Sequence, residues 1–189
     1  KKFQLDLIDN VSFNFSDGFM TVAGFDARHY QRLDKHSILA VRAAGATSFG
    51  SEKILYFLGG VDNWLGAERN NIIPVAPGNY AFQSLAVQMR GFKQNIRNGN
   101  SYFVSNMELR VPIFQYLKRD RLRSGFFRNF MLTGFFDVGT AWSGLTPWSG
   151  NNPLNNVTVS NSSTRVTARY FRDNIVYGYG AGARIPLLG

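Results

Sequence analysis

The run Ser101-Tyr102-Phe103-Val104-Ser105-Asn106-Met107-Glu108-Leu109-Arg110-Val111-Pro112-Ile113 alternates apolar and polar side chains. Phe103, Met107, Leu109, Val111 and Ile113 fall on one parity, and Asn106, Glu108 and Arg110 on the other. A repeat of two sends successive side chains to opposite faces of a β-strand, so one face is apolar and the other charged.

Upstream the same alternation recurs. Phe3, Leu5, Leu7, Val11, Phe13 and Phe15 oppose Gln4, Asp6, Ser12 and Asn14, and Ser16-Asp17-Gly18 signals a turn. Phe19, Ala23, Phe25 and Ala27 then oppose Asp26 and Arg28. After a turn around Leu33-Asp34-Lys35, Leu39, Val41, Ala43 and Phe49 oppose Ala40, Arg42, Ala44 and Ser48. A shorter apolar run, Ile54 to Leu58, follows Gly50-Ser51-Glu52 and ends at Gly59-Gly60. Downstream, Phe130, Leu132, Phe136 and Val138 oppose Thr133, Phe135 and Asp137. In the last strand, Ile175 to Ile185, Tyr177, Tyr179 and Ala181 oppose Gly178, Gly180, Gly182 and Arg184.

Three connections interrupt the pattern. Val61 to Asn100 carries Pro74, Pro77, Gly78 and Asn79 and reads as a long irregular loop, a length that is usually functional. Gln115 to Asn129 holds Lys118, Arg119, Arg121, Arg123 and Arg128 against the single acid Asp120. Trp142 to about Arg169 is a second loop, rich in Asn, Ser, Gly and Thr.

At 189 residues the chain suits one domain or a part of a larger one. No stretch approaches the roughly 18 consecutive apolar residues of a membrane helix. Cysteine is absent, which removes disulfides and thiolate metal sites. Lys1-Lys2-Phe3 opens directly into patterned sequence without a signal peptide's apolar stretch, so a cytosolic protein or a piece of a longer one is expected. A formal charge of +9 raises nucleic acid as a partner. The 17 Phe argue against it, because they recur at alternate positions instead of interleaving with Lys and Arg as a stacking platform. Several strands run to about a dozen residues, against about 9–11 for a membrane-crossing strand and roughly 5–6 for a globular one. Length, and charges placed mid-strand on the polar face, favour a membrane β-barrel over a soluble sandwich.

Within that pattern one constellation carries chemistry. Arg90 lies in Met89-Arg90-Gly91-Phe92 near the end of the long loop, and Glu108 and Asp137 occupy the polar rows of the next strands. An arginine on a loop, with carboxylates on neighbouring walls, suggests a loop folded back into a barrel and tied by ion pairs. The bland alternative is an exposed arginine beside a turn glycine. Gly178, Gly180 and Gly182 begin a formal G-x-G-x-x-A match, but no turn and helix follow as a dinucleotide site requires. They fit better as positions that leave space in the lumen or let the wall bend. His29 and His36 have no Glu at metal-ligand spacing, and no Gly-x-Ser-x-Gly elbow occurs, so no enzyme is expected. Trp142, Trp148, Tyr170, Tyr177 and Tyr179 near strand ends suit an aromatic girdle.

The order of these segments resembles a known family. Gly59-Gly60, the Arg90-Gly91-Phe92 tip, Met107-Glu108-Leu109-Arg110-Val111-Pro112, Phe136-Asp137-Val138-Gly139-Thr140-Ala141-Trp142 and Gly180-Ala181-Gly182-Ala183-Arg184-Ile185-Pro186 follow one another at suitable spacing. Together they look like the C-terminal part of the bacterial surface antigen barrel, the superfamily of the BamA and TamA assembly proteins and the two-partner-secretion (TpsB) translocators. The motif match covers roughly residues 53–189, and the earlier segment matches by strand pattern alone. The resemblance implies an all-β, antiparallel transmembrane barrel of the sixteen-stranded type, of which residues 1–189 supply about seven strands, roughly the eighth to the fourteenth. The final strands and the N-terminal region would be absent.

It also implies that the loop 61–100 re-enters the lumen, with Arg90 at its tip, Gly91 permitting close backbone approach and Phe92 packed on the inner wall. Glu108 and Asp137 would be the wall partners. The expected setting is the bacterial outer membrane, with lipopolysaccharide and phospholipid around the barrel. Unfolded outer-membrane or secreted clients and periplasmic accessory proteins are the expected partners. No cofactor, metal or nucleic acid is implied. The function implied is insertion or translocation of proteins. An anchor or passive pore for a fused N-terminal domain is the alternative, and a soluble basic β-protein the third reading.

Overall fold

The computed structural model describes residues 2–14, 18–60, 68–117, 125–149, 152, 154–170 and 172–184. Among them, six long strands form one antiparallel sheet: β1 (Lys2–Asn14), β2 (Gly18–Arg32), β3 (Ile38–Gly50), β7 (Ser101–Val111), β8 (Met131–Trp142) and β11 (Val176–Arg184). Each pairs with the next in that order, so the wall is a continuous meander. A strand the length of β3, 13 residues, extends about 43 Å at roughly 3.3 Å per residue. Tilted by about 40°, it crosses the roughly 30 Å of a hydrocarbon layer.

Register keeps the two faces apart. Leu39 pairs with Leu109, Met107 with Phe136, and Val138 with Tyr177, all on the apolar face. Phe19, Phe25, Phe49, Phe103, Met107, Leu109, Leu132, Phe136, Tyr177 and Tyr179 are exposed there, up to 78% for Tyr179. A soluble sheet would bury such a row against a second layer, whereas a lipid-facing one leaves it open. The opposite, inner face carries Asp26, Arg28, Arg42, Glu108, Arg110, Asp137 and Arg184.

The buried core sits on the inner face, under the long connection between β3 and β7. That connection is more ordered than its sequence suggests. It contains β4 (Lys53–Leu58), β5 (Tyr80–Val87) and β6 (Arg97–Gly99), with β4 parallel to β5 and antiparallel to β6. Two expectations change here. Ile54 to Leu58 does form a strand, but it leaves the wall for this small sheet. The stretch 61–100 is therefore not irregular throughout: β5 and β6 lack a clean alternation because β4, not the wall, is their partner.

β4 is buried on both sides. Leu58 joins Ala44, Met89, Val104, Ala141 and Val176 against the wall, with Phe92, Ile96 and Tyr102 packed around them. Leu55 and Phe57 instead meet Ala76 and Tyr80 of the loop itself. Asn95 and Asn98, both buried, bind this layer together. Asn98 Oδ1 accepts from the Ala76 amide at 2.8 Å, and its Nδ2 donates to Pro74 O and Asn95 Oδ1. Asn95 adopts φ of 65°, a left-handed conformation that Asn tolerates better than most side chains.

Strand ends fall into two sets. At the far end lie the paired Asn14 and Gly18, the long connection from β3 to β7 and the connection from β8 to β11, which carries the hairpin β9 (Asn156–Ser160) and β10 (Arg165–Arg169). The loop after Trp142 is thus partly a hairpin. At the near end lie the 33–37 turn and the 112–130 connection. The alternation runs on to Ile113, but the wall strand stops at Val111, because Pro112 has no N–H for the ladder. Ile113–Leu117 (α1) and Gly125–Asn129 (α2) are short helices instead. Tyr116 of α1 binds both Ser37 Oγ, at 2.7 Å, and the Asp34 carboxylate, which joins the two near-end connections. That hydroxyl, with the Ser37 and His36 amides, pulls the Asp34 pKa down to about 2. The turn at Ser16-Asp17, the cations Lys118, Arg119, Arg121 and Arg123, and Ile185 to Gly189 lie outside the described residues.

Gly99 of β6 seats the loop on the wall. A Cβ there would fall 2.0 Å from Trp142 O, against backbone that cannot yield. Replacing Gly99 with Val should therefore lift the loop from β8. In full-length protein, protease cleavage within 68–100 should accelerate while the wall strands stay protected.

Candidate functional site

The inner face meets the loop tip at Arg90. Glu108 on β7 and Asp137 on β8 reach the same face because Glu108 pairs with Phe135 and Asn106 with Asp137. The two carboxylates are therefore diagonal neighbours, a spacing of roughly 7–8 Å that one guanidinium can bridge. Glu108 is the eighth of 11 residues in β7, so the tip reaches roughly 23 Å down the wall from its far end.

Arg90 fills the gap. Its Nε donates to Asp137 Oδ2 at 2.8 Å and its Nη2 to Asp137 Oδ1 at 2.7 Å, a bidentate fork. Nη1 donates to Glu108 Oε2 at 2.5 Å. The Arg90 backbone N–H also donates to Asp137 Oδ2, at 3.1 Å, so the carboxylate fixes both chain and side chain. Asp137 is fully buried, whereas Arg90 keeps 25% of its side-chain exposure. The guanidinium lies 4.1 Å from the centre of the Phe135 ring, a cation–π contact.

Glu108 holds two further cations. Arg110 Nε donates to its Oε1 at 2.7 Å, and Arg184 Nη2 stands 3.0 Å from the same oxygen. Three arginines from three different segments therefore converge on one carboxylate. A second cluster lies across the sheet. Arg28 and Arg42 sit directly opposite each other, an unfavourable pairing of like charges that Asp26 relieves by accepting from both. A cavity of about 410 Å³ lies between the clusters, lined by Arg28, Arg42, Arg90, Glu108, Arg110 and Arg184 among others.

The expected site residues come together as follows. Arg90, Glu108 and Asp137 make direct contact. Gly91 has φ of 87°, and a Cβ on it would meet nothing within 4 Å. Its glycine is thus explained by the left-handed turn after Arg90, and the expected close backbone approach is not what requires it. The close approach occurs at Gly178, where a Cβ would stand 2.6 Å from Arg90 O and 3.2 Å from the Phe92 ring. Phe92, partly buried, packs on the inner-face core. Gly180 leaves room for the Phe135 ring, 2.8 Å from its would-be Cβ. Gly182 is not crowded: its nearest contact would be Thr133 Oγ1 at 3.5 Å.

Phe135 is the contact that sequence reasoning missed. Its signal was an aromatic ring on a row otherwise occupied by Thr133 and Asp137. Arg110 and Arg184 were legible as inner-face charges, though not as partners of Glu108.

The geometry at Gly178 and Phe135 separates two contributions. Gly178→Val should displace the tip and lower the temperature at which the folded, SDS-resistant form of the full-length protein converts to the unfolded one. Phe135→Leu keeps the volume roughly and removes the ring face, so a smaller drop, about 1 kcal/mol in unfolding free energy, is expected.

A family model for the Omp85 superfamily domain matches residues 3–187. The match takes in the first strands as well, which the short motifs alone did not reach. No curated protein and no solved structure matches the chain. Omp85 proteins are outer-membrane transport and assembly proteins of bacteria and organelles. With a wall apolar on one face and charged on the other, and a family model spanning nearly its whole length, the chain belongs to the Omp85 superfamily.

Proposed function

We propose that the chain forms the C-terminal part of an outer-membrane β-barrel that inserts or translocates proteins, with Arg90 latching the long loop inside the lumen. The observation that supports this reading most is the four-donor contact of Arg90 with Asp137 and Glu108. No bond to be made or broken is served by this arrangement. What it can do is hold a folded loop at a fixed depth against the inner wall.

An ion pair suits that task better than apolar packing does. Desolvating the two charges offsets most of their attraction, so the pair adds little net stability. Removing one partner, however, strands a buried charge at a cost of about 3–5 kcal/mol. The contact therefore penalises every loop position except the one that satisfies all three groups. A lumen with a fixed internal loop presents the same inner surface to each passing or inserting client. A passive pore or anchor would need only the wall.

Arg90→Glu places three carboxylates together and should abolish the latch. In a membrane-assembly assay with full-length protein, client insertion should fall by at least an order of magnitude, given a lost buried pair. Adding Asp137→Arg should restore part of the activity. Wild-type activity of the single variant would sink the latch.

A further inference from the structure

Glu108 gathers more positive charge than it can balance. Arg110 Nε donates to its Oε1 at 2.7 Å, and Arg184 Nη2 lies 3.0 Å from that same oxygen. Arg90 takes Oε2 and both oxygens of Asp137. Around this point three guanidinium groups stand against two carboxylates. The crowding follows from register. Arg110 pairs with Thr133 and Thr133 with Gly182, so Arg110 on β7 and Arg184 on β11 flank β8 on its inner face. Strands two apart are separated by roughly 10 Å, and the two long side chains reach across β8 to meet at Glu108.

Neither arginine is spent there. A guanidinium carries five N–H donors. Arg110 uses Nε alone and Arg184 Nη2 alone, and neither side chain makes another hydrogen bond among the described residues. They remain 30% and 55% exposed, and both line the cavity of about 410 Å³. Arg42 and Asn106, directly paired in register, line it too, and the Asn106 side-chain amide has no hydrogen-bond partner among the described residues. Water satisfies such donors but leaves the repulsion between neighbouring cations in place, whereas an anion answers both. The donors come from three strands, β3, β7 and β11, and hence from different directions. A carboxylate offers its two oxygens on one side, but a tetrahedral phosphate presents oxygens all round and suits guanidinium edges. The cavity exceeds many times the roughly 30 Å³ share of one water, which is room for such an ion with part of its hydration.

We propose that the inner-face cavity is a binding site for a phosphate-type oxyanion, held by the unused edges of Arg110 and Arg184, with Arg42 and Asn106 completing the ring of donors. All four belong to wall strands, so the site goes beyond the Arg90 latch and is independent of what the barrel inserts. An anion seated there offsets the repulsion between Arg110 and Arg184, and by linkage it stabilises the folded wall.

Isothermal titration calorimetry of the full-length protein in detergent, with sodium phosphate at fixed ionic strength, tests the site. Saturable binding is expected, about tenfold or more tighter than that of sodium acetate. Arg184→Gln leaves Glu108 paired with Arg90 and Arg110 and should weaken phosphate by about tenfold or more, the loss of one charge-assisted contact. Arg32→Gln, an exposed arginine outside the cavity, should leave the affinity unchanged. If Arg184→Gln does not fold, the wild-type protein decides by its heat-denaturation midpoint. That midpoint should rise saturably with phosphate and stay level with chloride at the same ionic strength. Phosphate bound no more tightly than acetate overturns the proposal, as does an unchanged affinity in Arg184→Gln or an equal loss in Arg32→Gln.

Discussion

A sheet that is apolar on one side and charged on the other can satisfy both faces only if the charges find partners among themselves. That constraint organises this chain. Asp26 is shared by Arg28 and Arg42, and Glu108 by Arg110 and Arg184, before any loop is considered. Asp137 is different. Fully buried, it makes both its ion pair and its amide contact with Arg90, which the loop carries to it. The wall supplies the acid and the loop the base, so each is incomplete without the other.

The loop reaches that depth because it is itself a folded layer. β4 is apolar on both faces, and one of them meets the wall while the other meets the loop's own strap. This places an inner core where a soluble sheet would have its second sheet. The tip then descends along a path cleared by glycine. Arg90 O and the Phe92 ring occupy the space that a side chain at 178 would need. Clearance and charge act on different atoms of the same residue: Gly178 admits the backbone and Asp137 fixes the guanidinium.

The two ends of the wall solve different problems. Two far-end connections, from β3 to β7 and from β8 to β11, are long and carry the inner layer and the β9–β10 hairpin. Near-end connections are shorter and tie to each other through Tyr116, leaving aromatic rings and cations outward. In a membrane protein such an asymmetry is also electrostatic, because the two surfaces differ in lipid charge.

Much of the fold was legible from the residues because period two is a local property. Each wall strand announced its faces through its own alternation, and Asp137 and Glu108 fell on the inner face by parity alone. The pairing of Ile54–Leu58 was not legible. An apolar run has the same composition whether it joins the wall or packs on both faces within a loop, and only contact with β5, β6 and the wall decides. Gly91 and Gly178 make the same point. Both are glycines beside the tip, yet one serves a backbone angle and the other a packing distance. The sequence by itself determined which side chains face lipid and which face inward, because alternation follows from backbone geometry. The tertiary structure alone decided which inner charges meet, because Arg90 lies 18 residues from Glu108 and 47 from Asp137. Separations of that size are set by loop folding and strand register, not by any local pattern.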